Sequence, residues 1–134
     1  MYRCEHPKPQ FFRENWVNLN GEWEFEFDFG RSARERELYK KGSLSKKIIV
    51  PFCPESLLSG LKMQVKPGSY LFYRRGLTLP EGFNRGRVIL HIGAADQVAD
   101  VFVNGKQAGR IEGSYIRGEF DITSLVKAGE TNAL

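Results

Sequence analysis

Glu22, Glu24 and Glu26 stand at alternate positions, with Asp28 next in the series. In an extended chain, alternate side chains share one face at steps of about 7 Å. Two carboxyls about 5–9.5 Å apart can serve as an acid and base across one bond, and a longer row can ladder a cation. Either chemistry needs a pocket, and nothing around these residues supplies one, so a solvent-facing acidic edge is the simpler reading. His6, His91, Cys4 and Cys53 make up a Cys2His2 inventory, but none of their spacings fits a zinc motif. No metal and no cofactor is expected. Two cysteines far apart, in a chain able to build a core, read as reduced thiols in a cytoplasmic protein, with a Cys4–Cys53 bridge as the alternative. There is no GxSxG elbow, no GxxxxGK[ST] loop, no GxGxxG fingerprint and no HExxH. His91, within Val88-Ile-Leu-His-Ile92, reads as a packed or surface strand residue. The residues point to a binding or structural module with no catalytic set of its own.

The elements that position these residues are strands. Trp23, Phe25, Phe27 and Phe29 alternate with Glu22, Glu24, Glu26 and Asp28, the period of a half-buried antiparallel strand with aromatics on its core face. Lys46–Phe52 is a short strand closed by Pro51 and Pro54, and residues 55–68 form a loop. Ser69–Leu79 is the next strand, and Pro80-Glu-Gly82 turns the chain. Arg87–Ile92 and Val98–Val103 are strands, and Asn104-Gly105 then turns a hairpin, because a type I′ turn needs φ > 0 at both central positions. Lys106–Gly113 returns. Gly118–Asp121 is a further strand, and Asp121–Gly129 is a helical turn capped by Asp121 or Thr123 and ended by Gly129. Thr131–Leu134 has the pattern of one more strand, and its stop there reads as a chain cut within a longer polypeptide. Residues 1–15 form an extended arm, and 16–134 form one all-β domain, an antiparallel sandwich or jelly roll.

The 134 residues carry a formal charge of +4. Residues 31–47 hold seven Lys or Arg against two Glu, or +5, and the other 117 residues hold 13 basic and 14 acidic side chains, or −1. A solvated loop explains this better than a nucleic-acid surface, whose basic residues spread over one face. The first residues lack a secretory pattern, and no apolar run reaches the ~20 residues that span a bilayer. Neither nucleic acid nor membrane is an expected partner.

Pro9-Gln-Phe-Phe-Arg-Glu-Asn-Trp-Val-Asn-Leu-Asn-Gly-Glu-Trp-Glu-Phe resembles the opening of glycoside hydrolase family 2 enzymes, the β-galactosidase, β-glucuronidase and β-mannosidase relatives. Further resemblances follow in family order: Ile49-Val-Pro-Phe-Cys-Pro-Glu-Ser56, Phe72-Tyr-Arg-Arg75 with Leu79-Pro80, Arg87–Gly93, Ala99-Asp-Val-Phe-Val-Asn-Gly-Lys106 with Gly109, and Phe120-Asp-Ile-Thr123 with Gly129, Glu130 and Asn132. Each is weak alone; their order across nearly the whole chain carries the resemblance.

The resemblance implies the family's N-terminal sugar-binding jelly roll, in the galactose-binding-domain class. An immunoglobulin-like domain and a catalytic barrel would be its missing partners, and a barrel alone needs about 250 residues. The parent would be a retaining exo-β-glycosidase acting on terminal β-glycosides, β-galactosidase-like first, with this chain inactive alone and a homo-oligomer possible in the parent. A self-standing, lectin-like carbohydrate-binding module is the alternative. Substrate contacts would fall to Lys62 and Gln64 in the loop and to Tyr70 and Phe72, with Tyr73 a further stacking surface. Trp16 and Trp23 read as core or interdomain anchors, and Arg74 and Arg75 as partners of carboxylates or aromatics. Asn104 and Gly105 serve their turn, and Asp121 its cap. The isolated chain is expected to expose apolar surface and self-associate.

Overall fold

The computed structural model describes residues 2–40 and 43–134. Lys41, part of the basic segment read above, lies outside the described residues, as do Met1 and Gly42. Among the described residues, regular structure is β apart from two single-turn 3₁₀ helices, Pro9–Phe11 and Leu57–Ser59, and every strand pairing is antiparallel. The chain divides into two compact units, Met1–Arg75 and Gly76–Leu134.

The first unit is built on three strands, β1 (Gly21–Asp28), β2 (Lys46–Val50) and β3 (Tyr70–Arg74), in the order β2-β1-β3. Trp23 pairs with Ile48 and Phe25 with Tyr73, so the aromatics of β1 share a face with Ile48, Val50, Leu71 and Tyr73. Phe25 and Ile48 are fully inaccessible, and Phe27 is buried beside them. Fully burying such side chains stabilises by about 2–3 kcal/mol each. Phe25 also makes edge-on contacts with Phe27 and Tyr73, centroids 4.9 and 5.0 Å apart.

A strap crosses this face. Leu61, Met63 and Val65 pack inward on the Phe25 cluster, while Lys62 and Gln64 between them are exposed. The strap is tied by Met63 N–H to the Pro54 carbonyl and Val65 N–H to the Glu55 carboxylate. Ser59, fully buried, places its hydroxyl 2.8 Å from the Ser56 carbonyl and accepts Leu61 N–H. Within the 55–68 loop, residues 61–65 are therefore a packed element, because Leu61, Met63 and Val65 alternate toward the core.

The opposite face corrects two expectations. The acidic edge of β1 does not simply face solvent, and the basic segment is not a solvated loop. Residues 31–40 and Leu44 fold back over that face, where Ala33, Leu38 and Leu44 are buried against Phe72. Arg36 reaches Glu26 at 3.1 Å and Asp28 at 3.4 Å, Leu44 N–H donates to Glu24, and Lys47 meets Glu22 at 2.7 Å. Opposite charges brought together from 8 to 25 residues apart line this layer, and the helical tendency at 33–40 yields instead a run of turns. Glu37, which sits in that run, has φ 51, incompatible with a helix.

Asp28 and Phe29 exchange their expected places. Phe29 follows the end of β1, is 67% exposed and stacks flat on Phe27 with centroids 5.4 Å apart. Asp28 is 3% exposed. Its carboxylate accepts the N–H groups of Ser32 and Ala33 at 3.0 and 2.7 Å, and it faces the Ser32 hydroxyl and Arg36. A carboxylate can be buried where turning backbone supplies donors, and a phenyl ring cannot satisfy them.

The second unit holds β4 (Gly76–Thr78), β5 (Ile89–Ile92), β6 (Val98–Val103), β7 (Lys106–Glu112), β8 (Gly118–Asp121) and β9 (Thr131–Ala133), paired β4-β9, β5-β8 and β6-β7. The single strand expected over Ser69–Leu79 is thus two, β3 and β4, which pair with different neighbours on either side of Arg75. Leu77, Leu79, Val88, Leu90, Val101, Val103, Ile111 and Ile122 are buried. The hairpin turn has φ 50 at Asn104 and 77 at Gly105, as its two residues require. The strands close in on glycines: a Cβ at Gly109 would lie 2.4 Å from the Phe120 ring. At 121–129 the chain makes turns, with Asp121 accepting Thr123 N–H and Gly129 at φ 73.

Candidate functional site

The four residues expected to contact substrate do not converge. Lys62 and Gln64 project from the strap over the aromatic face of the first sheet. Tyr70 and Phe72 belong to the other face, since they pair with Asp28 and Glu26. Phe72 is half-buried under the basic segment with Ala33, Leu38 and Leu44, so its ring is committed to packing. Tyr70 is 53% exposed, and the Arg31 guanidinium lies over its ring, 5.2 Å from the centroid. A cation on an exposed ring is worth about 0.5–1 kcal/mol, and it turns this corner of the sheet into a polar-rimmed aromatic surface.

Lys62 has φ 51, a left-handed conformation uncommon outside glycine. Partly buried neighbours on both sides, Leu61 and Met63, hold it there, with the lysine side chain exposed. Strap and sheet together therefore present an exposed cationic side chain with a neutral amide two residues on, a pattern able to bind oxygens of a polar ligand.

The residues read as structural do anchor, by partners the sequence did not disclose. Trp23 donates its indole N–H to the Leu19 carbonyl at 2.7 Å, and Arg75 donates to the Leu19 and Asn20 carbonyls at 2.7 and 3.0 Å. Arg75 thus pairs with backbone and not with a carboxylate or a ring. Arg74 buries a guanidinium nitrogen, Nη1, for which the described residues offer no acceptor. Trp16 contacts the His6 ring at 4.8 Å, within the arm. Tyr73 keeps its ring against Phe25, and its phenol is pushed up to about 12 by burial, with the nearby Cys53 and Glu55 adding to the effect. Absorbance titration near 295 nm should show one tyrosine ionising about two pH steps above the ordinary value of 10, and Tyr73→Phe should delete that step.

Asn104 does more than turn the hairpin. Its side chain accepts Ala133 N–H and donates to the Leu125 carbonyl and to Asn132 Oδ1, at 2.9, 2.8 and 2.7 Å. Asn132, 1% exposed, also accepts Lys127 N–H at 2.7 Å, and its amide nitrogen, with two N–H donors, lies 3.0–3.2 Å from the carbonyls of Leu77, Lys127 and Glu130. Sequence reasoning missed this hub, as it missed Asp28; the motifs that carry the resemblance include both Asn104 and Asn132 but do not say that they meet. Asp121 is held below the ordinary carboxylate value by the Thr123 hydroxyl and N–H. His91 stands on the exposed side of β5 with Arg117 at 2.8 Å and Glu119 at 3.3 Å. The cysteines are both free and exposed, so the bridge alternative is overturned. Among the described residues no three or more His, Cys, Asp or Glu stand close enough to hold a metal ion, and no helix is long and apolar enough to cross a membrane.

Comparison with known proteins places this geometry. The β-glucuronidase of Felis catus is 31% identical over 92% of this chain, and that of Homo sapiens 32% over 83%. The chain spans only 20% and 18% of those proteins. Among solved structures, Ruminococcus gnavus β-glucuronidase in complex with C6-substituted uronic isofagomine matches 86% of this chain with a TM-score of 0.73 at 21% identity. An uncultured Clostridium sp. β-glucuronidase matches with 0.70 at 24%. These likenesses bear out the all-β, antiparallel jelly-roll reading of the strand pattern. The family model described as glycosyl hydrolase 2 galactose-binding domain-like matches residues 52–134. The chain belongs to the glycosyl hydrolase 2 galactose-binding domain-like family.

Proposed function

We propose that this chain is the accessory, carbohydrate-facing domain of a retaining exo-β-glycosidase of the β-glucuronidase type, with hydrolysis carried out by a catalytic barrel elsewhere in the polypeptide. The observation that carries the reading is the extent of the match: β-glucuronidase relatives align with 92% of this chain and 20% of themselves. The same relatives move the substrate from the β-galactoside first expected from the motifs to a β-glucuronide. In this role the first unit's sheet is a scaffold, and the rigid strap bearing Lys62 and Gln64 shapes the approach to the barrel.

The test is kinetic. The full polypeptide is expected to hydrolyse a chromogenic β-glucuronide with kcat/KM at least about 100-fold above that for the β-galactoside, the discrimination available to a site built around a charged group. The 134-residue chain alone should hydrolyse neither. Turnover by the chain alone, or a galactoside preference in the full polypeptide, would overturn the proposal. Saturable heat on titrating the chain alone with D-glucuronic acid, at a Kd below about 1 mM, would replace it with a self-standing carbohydrate-binding module.

A further inference from the structure

We propose that Asn104-Gly105 is a deamidation site, held unreactive by the fold and unable to return to it once it has reacted. Asparagine is among the thermolabile residues, and a following glycine, with no Cβ, leaves its own nitrogen least hindered. The Gly105 nitrogen attacks Asn104 Cγ. A Cγ–N bond forms, the Cγ–Nδ2 bond breaks, and the proton of the Gly105 nitrogen leaves with Nδ2 as ammonia. Water then opens the cyclic imide at either carbonyl and leaves aspartate or isoaspartate at position 104. The balance is asparagine plus water giving aspartate plus ammonia, and water is the one co-reactant.

The structure blocks the first step. Asn104 is exposed, so burial does not protect it. Its side chain is instead engaged through its oxygen and both N–H donors. Oδ1 accepts Ala133 N–H at 2.9 Å, and Nδ2 donates to the Leu125 carbonyl at 2.8 Å and to Asn132 Oδ1 at 2.7 Å. The backbone N–H of Asn104 donates to the Ala133 carbonyl at 2.8 Å, so β9 holds residue 104 by main chain and side chain together. Bringing Cγ onto the Gly105 nitrogen turns the amide away from all three of its partners at once. The reaction therefore runs through an opened form of the turn, and its rate follows how often that form is visited.

The product does not fit the place it left. A carboxylate at 104 sets oxygen against the Leu125 carbonyl and Asn132 Oδ1, where the amide donated to both. Asn132 cannot turn its nitrogen toward that carboxylate, because the nitrogen already lies against the carbonyls of Leu77, Lys127 and Glu130. Isoaspartate also adds a carbon to the main chain between Val103 and Lys106, which pair across the turn. A reaction during one opening thus leaves a hub that cannot close again, since its buried acceptors lose their donors.

Peptide mass spectrometry of the full polypeptide, incubated at mildly alkaline pH in buffer and in unfolding urea, tests the lock. Asn104 should gain the one-dalton mass of deamidation about 100-fold more slowly in buffer, since three side-chain bonds must open together. Asn20-Gly21, the other such pair in the chain, supplies the unfolded-chain rate in the same urea digest. Asn104→Asp tests the product: amide hydrogen exchange in β6, β7 and β9 should quicken about tenfold or more, and a variant that does not fold is the same result at greater strength. An Asn104 that reacts less than about tenfold more slowly in buffer than in urea overturns the proposal. So does an Asn104→Asp variant whose exchange matches that of the wild type.

Discussion

Asn132→Ala is expected to destabilise the Gly76–Leu134 unit by about 3–5 kcal/mol, enough to lower its unfolding midpoint by roughly 10 °C or more. The amide is 1% exposed and satisfied on every side. Its oxygen accepts from Asn104 and Lys127 N–H, and its nitrogen faces the carbonyls of Leu77, Lys127 and Glu130. Truncation removes little apolar packing but strands polar groups contributed by four residues in three segments, and each stranded buried group costs about 1–3 kcal/mol. Asn132→Asp separates acceptor from donor. The carboxylate can still accept from Asn104 and Lys127, but it cannot donate, and it faces three carbonyl oxygens. That variant should be at least as damaged as the alanine at pH 7. It should recover part of its stability in acid, where the protonated form donates once. Thermal unfolding followed by near-ultraviolet circular dichroism at pH 7 and pH 4 checks both. An alanine variant within 1 kcal/mol of wild type would show that water or neighbouring groups take over the amide's bonds.

Asp28→Ala is expected to cost about 2–3 kcal/mol and to loosen residues 31–40 from the acidic face of β1. Burial pushes this carboxyl up, but the N–H groups of Ala33 and Ser32, the Ser32 hydroxyl and the Arg36 guanidinium outweigh it and hold it below the ordinary carboxylate value. The folded form is therefore the stronger acid. Its stabilisation is complete above the unfolded value of about 3.9 and is lost as pH falls through the lower folded value. Urea midpoints measured from pH 7 to pH 2 should show the wild type losing stability below about pH 4 more steeply than Asp28→Asn, which has no proton to take up there. Trypsin supplies the local readout. Arg36 is held to Glu26 and Asp28, and cleavage after it should accelerate about tenfold in Asp28→Ala. Unchanged cleavage would mean that Ala33, Leu38 and Leu44 hold the segment without the carboxylate.

Fold class was legible because it depends on local order. The alternation from Glu22 to Asp28 requires a two-faced strand, and Asn104-Gly105 admits few turns other than the one found. The alternation could say which residues share a face but not what covers it. The acidic side of β1 was read as solvent-facing because carboxylates usually are. What covers it is the +5 segment that composition alone had set apart as a loop. Charge complementarity between residues 8 to 25 apart depends on where the chain turns back, and periodicity does not contain that.

The candidate site shows the same division. Lys62, Gln64, Tyr70 and Phe72 were grouped by their types and by nearness in sequence, and the sheet places them on opposite faces. A one-residue change of phase in an extended chain exchanges faces, and five residues of strap and turn separate the two pairs along the chain.

By itself, then, the sequence determined the strand pattern, the hairpin turn and the ordered motifs that carry the family, because each depends on a few neighbouring side chains. Only the tertiary structure decided that Asp28 and not Phe29 is buried, that the basic segment forms a layer, and that Asn104 and Asn132 share one polar hub. Those outcomes depend on hydrogen-bond partners brought together from segments as far as 55 residues apart, and a buried polar group is tolerated only where such partners meet.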